Sequence, residues 1–191
     1  MPTNFSYRFP KGVAQTTRWE VSLVIETDDE TLTLAVDLRH SIVAVNDREI
    51  LWTLKEIGRR GPEVGLPPYL SPGKSQFPVS SKGVPAPGYA LPCFLLPAFP
   101  DQALEENSEW TVRDKSSGIE MHHVFTVLEE KPELLRVVGD AHHESDEIEV
   151  EIGGDYRFHP GRGQLLEAKI VVDSFREGLT RNLAIQISSQ M

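Results

Sequence analysis

The chain has 191 residues, 39% of them hydrophobic and 25% charged, with one cysteine and a formal net charge of −10. That length suffices to bury a real core, and the composition excludes a disordered or fibrous chain. The single cysteine, Cys93, excludes an intrachain disulfide framework and a thiolate-rich zinc site.

The first segment, residues 1–60, alternates apolar and polar residues with a period of two, the signature of half-buried strands. Phe5, Tyr7 and Phe9 open the pattern and predict a first strand. Trp19, Val21, Leu23 and Ile25 then share one face, with Glu20, Ser22 and Glu26 on the other. After the acidic turn Asp28-Asp29-Glu30, the residues Leu32, Leu34, Val36 and Leu38 point inward. Asn46-Asp47 marks the next turn and Ile50, Trp52 and Leu54 the next strand. β-branched residues crowd these stretches, which disfavours helix.

Residues 61–100 hold ten of the 14 prolines. Proline fixes φ and removes a donor, so this segment reads as an extended connector with at most short edge strands, such as one around Gln76-Phe77-Pro78-Val79. Its apolar residues, among them Leu91, Phe94, Leu95 and Phe99, predict a connector wrapped against the protein rather than a free linker.

Residues 101–191 repeat the scheme after a single helical turn predicted near Asp101-Gln102-Ala103-Leu104. Ile119, Met121, Phe125 and Val127 occupy one face, and the turn Glu129 to Glu133 leads to Leu135, Val137 and Ala141. Ile148, Val150 and Ile152 follow, with Gly153-Gly154 predicted to end that strand, then Tyr156 and Phe158 before the turn at His159-Pro160-Gly161. Leu166, Ala168, Ile170 and Val172 come next, then Arg176-Glu177-Gly178, then Leu183, Ile185 and Ile187. The expectation is an all-β fold, an antiparallel sandwich or a curved, partly open barrel of about nine to ten or more strands. It forms one compact unit, 1–191, whose two similar halves, 1–60 and 101–191, carry Trp19 and Trp110 as matching anchors.

Three stretches together resemble a family of uncharacterised β-rich bacterial proteins. The first is Tyr7-Arg8-Phe9-Pro10-Lys11-Gly12 followed by Trp19. The second runs from Leu96-Pro97 through Pro100 and Leu104 to Trp110, with Asn107 where the family prefers Gly. The third is the hairpin Tyr156 to Leu165, with His159 where the family prefers Asp. The resemblance implies a β-rich fold with a Pro-rich entry into its second half, and brings no activity with it.

Residues 101–155 carry 16 acidic and four basic residues. That balance repels phosphate backbones, and no basic cluster with interleaved aromatics offsets it, so nucleic acid is excluded as a partner. No apolar run reaches the roughly 18–20 residues that span a bilayer. The first residues show neither a basic nor an apolar leader region. The expected location is therefore cytoplasmic, or exported if a leader has been removed.

Catalytic signatures are missing: there is no phosphate-binding loop, no HExxH and no GxSxG. Ser71-Pro72-Gly73-Lys74 matches SxxK, but Pro and Gly prevent the helical turn that would bring Ser to Lys. Cys93, between Pro92 and Phe94 with no His or Lys beside it in sequence, reads as a small core residue. No catalytic, cofactor or metal residue is assigned. The sharpest feature is a pair of dipeptides, His122-His123 and His142-His143, on two strands of one predicted hairpin. Alternation places His123 and His143 on the apolar face and His122 and His142 on the other, with Glu120 and Asp140. Cross-strand imidazoles about 5 Å apart can hold a divalent metal with a carboxylate. As ordinary sheet neighbours they need no metal. The leading expectation is a non-catalytic binding protein for an apolar ligand or another protein. A metal-binding protein or metal-dependent enzyme built on the histidine hairpin is the alternative, and a structural or oligomer-forming module a third.

Overall fold

The computed structural model describes residues 2–86, 89, 91–115 and 118–189. Pro87, Gly88 and Ala90 of the connector lie outside the described residues. Ten strands follow in chain order: β1 (Gln15–Thr27), β2 (Thr31–Ala44), β3 (Glu49–Arg60), β4 (Gly73–Pro78), β5 (Glu109–Asp114), β6 (Met121–Lys131), β7 (Leu134–Glu144), β8 (Glu149–His159), β9 (Gln164–Arg176) and β10 (Leu179–Ser189). They form one antiparallel sheet in the order β4-β3-β2-β1-β10-β9-β8-β7-β6-β5. The sheet is all-β and open, with β4 and β5 as its edges, as the alternation predicts. Both chain halves contribute to it, joined where β1 pairs with β10 from Thr17↔Ser189 to Thr27↔Leu179. Among the described residues no helix is long and apolar enough to cross a membrane.

Three bulges interrupt the ladders, between Asp37 and Leu38 against β3, between Val127 and Glu129 against β7, and between Arg157 and Phe158 against β9. A bulge adds one unpaired residue and sharpens local twist and bend, which suits a curved sheet. The first two leave Ile57 and Leu128 unpaired, and these apolar side chains are 45% and 40% exposed.

Three local expectations are corrected. Phe5 and Tyr7 are buried, but residues 2–12 form no ladder strand. They form a strap, pinned by Thr3 N–H to the Leu104 carbonyl (2.6 Å), Tyr7 N–H to that of Ser81 (2.6 Å) and Arg8 N–H to that of Gly163 (3.0 Å). Asp101–Leu104 is not helical, because the Leu104 backbone is paired with Thr3 instead. The one short helical element described is a 3-10 turn at Pro68–Leu70. Gly153-Gly154 does not end a strand, since β8 runs through it. Gly154 faces Gly139 across the ladder, and a Cβ at either position would fall 2.3 Å from the Tyr156 hydroxyl or 2.5 Å from the Phe125 ring. The missing side chains let two core rings lie against backbone.

The far end of the connector packs into the core. Leu91, Cys93, Phe94, Leu95, Leu96, Ala98 and Phe99 are all buried, packed on the inward face of the sheet. A Pro-rich segment brings carbonyls into the core with few partners of its own, and each must be satisfied there. Three aromatic tips do this: Tyr156 O–H donates to Phe94 O (2.9 Å), Tyr7 O–H to Pro97 O (3.1 Å) and Trp110 Nε1–H to Ala98 O (2.8 Å). Such residues combine large apolar burial with one polar handle. Tyr156→Phe strands the Phe94 carbonyl, and urea denaturation is expected to show a loss of about 1–3 kcal/mol. An unchanged midpoint would mean that this carbonyl finds another partner.

Candidate functional site

Strand alternation carries a polar residue into the inward row of β2: Leu34, Val36, Leu38, His40, Ile42. His40 is buried, opposite Thr17 of β1 and Leu54 of β3. Its ring lies against two indoles, with centroids 4.0 Å from Trp52 and 4.7 Å from Trp19. The Thr17 hydroxyl accepts the Trp19 Nε1–H (2.8 Å) and stands 2.9 Å from His40 Nδ1. Two proton arrangements fit the geometry: with Thr17 donating to Nδ1 the imidazole proton sits on Nε2, and with Nδ1–H donating to Thr17, which then accepts twice, Nε2 carries a lone pair. Nε2 itself is buried and has no hydrogen-bond partner. Burial also lowers the His40 pKa to about 3, so the ring is neutral at physiological pH.

His40 lines a cavity of about 230 Å³ at one end of the sheet. Trp19, Ile42 and Trp52 form its floor with His40, and Leu165, Leu166 and Ser189 extend the wall into β9 and β10. Tyr7, Phe9 and Pro10 of the strap and Leu95 and Leu96 of the connector cover it, with Arg162 and Gln164 among its polar lining. The cover is held by tight backbone geometry. Gly163 has φ +59°, and a Cβ there would meet Ser6 O at 2.4 Å and Arg8 N at 2.7 Å. Gly163→Ala is therefore expected to lift the strap, raising proteolysis within residues 2–12 and exposing the tryptophans to quenchers. Unchanged protection would show that the strap is held from elsewhere.

The histidine hairpin is divided by the sheet. His123 is buried on the inner face, opposite Val112 and Ala141. His143 is half-buried opposite Val150. His122 and His142 are exposed and both line an open depression on the outer face with Asp140 and Glu151. Their ionic neighbours differ. His122 lies 3.6 Å from Glu120, whose carboxylate Arg113 and Lys115 hold down at about 2 through hydrogen bonds. His142 lies 3.3 Å from Glu149, with Glu151 close by. The four imidazoles thus do not form one cluster.

Cys93, read from sequence as having no reactive neighbour, lies beside Asp114 and His123. Asp114 accepts the Cys93 backbone N–H at 2.7 Å and stands 3.9 Å from His123 Nε2. Burial, followed by the Asp114 charge, pushes the thiol pKa well up. His40 had a visible signal, a histidine in an unbroken inward apolar row. The Cys93 cluster had none, because Cys93 comes from the connector while Asp114 and His123 come from the paired strands β5 and β6. Compared with known proteins, the chain matches no family model and no curated relative.

Proposed function

We propose that this is a non-catalytic binding protein that takes a small, mainly apolar molecule with one hydrogen-bond acceptor into the cavity beneath the strap. The observation that carries this reading is the partnerless Nε2 of His40, a donor when Thr17 donates to Nδ1, in a largely aromatic and aliphatic lining that also holds Gln15, Thr16, Arg162, Gln164 and Ser189. A buried donor without a partner costs about 1–3 kcal/mol, and an acceptor on a ligand recovers part of it. Pockets that fix a ligand by one or two polar groups in an apolar lining are the common design of small-molecule sites. An apolar cavity of about 150 Å³ holds a benzene, so about 230 Å³ suits one substituted ring or a short branched chain. Catalysis is a poorer fit. The Thr17–His40 pair looks like a nucleophile and base, but an imidazole with a pKa of about 3 is too weak a base to activate a hydroxyl.

Acetophenone and ethylbenzene test the reading, since they differ mainly in the carbonyl. Saturable quenching of tryptophan fluorescence is expected for both, with acetophenone about 3- to 10-fold tighter. That preference should vanish in His40→Leu. Failure of both probes to bind, or a preference that survives the substitution, would sink the proposal.

A further inference from the structure

We propose that Cys93, Asp114 and His123 form a binding site for one divalent zinc-class cation, separate from the cavity at His40. Sheet geometry brings the second and third residues together. Asp114 and Val112 share the inner face of β5, and Val112 is the ladder partner of His123, so Asp114 lies diagonally across from the imidazole. The connector turn at Cys93 then drops onto them, fixed by the Cys93 N–H bond to Asp114 and by Leu95 N–H bonding back to Pro92 O (3.0 Å). The thiol sulfur, a carboxylate oxygen and an imidazole nitrogen all lie within 4.8 Å of one another. Cys93 and His123 are buried, and Asp114 is nearly so.

The donor set selects the ion. Sulfur, nitrogen and oxygen ligands together suit zinc and its neighbours, whereas calcium and magnesium take oxygen. Bond lengths of about 2.0–2.3 Å around a tetrahedral ion place ligand atoms roughly 3.3–3.7 Å apart. Binding therefore draws the three ligand atoms closer than their present spacing, which lies within 4.8 Å. Three protein ligands leave a fourth position for water, on the side of Asp114, the most exposed of the three. On binding, the Cys93 S–H bond breaks, its proton passes to solvent, and the thiolate sulfur bonds the ion. The packed rings of Phe94 and Phe125 beside His123 restrict its rotation, as a ligand imidazole requires.

The test uses the full chain after chelator treatment, with Zn²⁺ alone in calorimetry and Co²⁺ alone in absorption spectroscopy. One ion per chain is expected, with submicromolar affinity for Zn²⁺. Co²⁺ should give a thiolate-to-metal charge-transfer band and the intense visible bands of a tetrahedral site. Cys93→Ser should abolish the charge-transfer band and weaken binding on the order of a hundredfold, while His142→Ala leaves both unchanged. Absence of the thiolate band in the unmodified protein overturns the proposal, whether or not the variants fold. So does binding that Cys93→Ser spares and His142→Ala removes, since that places the ion at the exposed His142, Glu149 and Glu151.

Discussion

Gly139→Ala is expected to destabilise the protein by about 3 kcal/mol or more, while Gly153→Ala, 14 residues along the same hairpin, costs almost nothing. The added Cβ at position 139 would lie 2.5 and 2.6 Å from two atoms of the Phe125 ring. That ring is fully buried, stacked on Trp110 at 5.4 Å and close to His123 at 6.1 Å, so it has nowhere to go. Overpacking a filled core costs about 1–3 kcal/mol when neighbours can shift, and more when they cannot. At Gly153 the nearest atom is Asp140 Oδ1, 3.9 Å away. An alanine there makes only an ordinary van der Waals contact and reduces unfolded-chain freedom, a small gain if anything. Equilibrium urea denaturation of both variants checks the pair. Equal losses at the two sites would show that glycine in the strand matters through backbone freedom and not through the ring lying on it.

Acid is expected to unfold the protein through His40 before most carboxylates protonate. In the unfolded chain this imidazole has an ordinary pKa near 6.5, and in the fold burial lowers it to about 3. The unfolded state therefore binds the extra proton first. The contribution is complete above pH 6.5 and falls away as pH drops toward 3, at a slope approaching 1.4 kcal/mol per pH unit. Over that window the loss is of order 4 kcal/mol, a large share of a typical domain's stability. His123, also lowered by burial, acts in the same direction. Asp155, held down chiefly by its hydrogen bonds from Arg136, adds its own loss at lower pH. Comparing the parent with His40→Leu between pH 6.5 and 4.5 isolates the histidine. The variant should show the flatter profile, and parallel profiles would remove His40 as the cause.

The strands were legible because one face of each is dry. Trp19, Val21 and Leu23, or Val150 and Ile152, alternate with residues that solvent can hold, and no other structure places such a series on one side. Two kinds of feature escaped that logic. Glycine read as punctuation at Gly153-Gly154, where Gly154 makes room for a ring contributed from the same strand, Tyr156, and its partner Gly139 makes room for Phe125. The strap at Phe5 and Tyr7 showed the alternation of a strand, yet its backbone bonds go one by one to Leu104, Ser81 and Gly163. Alternation reports burial and not pairing. The cavity and the Cys93 cluster were less legible still. His40 stood in plain view in an inward row, but its cover comes from residues about 30 positions before it and 55 after it. Cys93, Asp114 and His123 meet only once the connector lies on the sheet, a contact that no local pattern encodes.

The seam between β1 and β10 also bears on how fast the molecule assembles. β1 to β4 and β5 to β10 are each a run of neighbouring hairpins, whose loops close quickly and cheaply. The seam joins Thr17 to Ser189, across nearly the whole chain. Long-range pairing of this kind slows folding into the millisecond-to-second range. Until it zips, two partly formed meanders carry bare inner edges, with Val21 and Leu23 on one and Ile185 and Ile187 on the other. Those edges match each other, and in a second molecule they match equally well, so refolding yield should fall steeply as protein concentration rises.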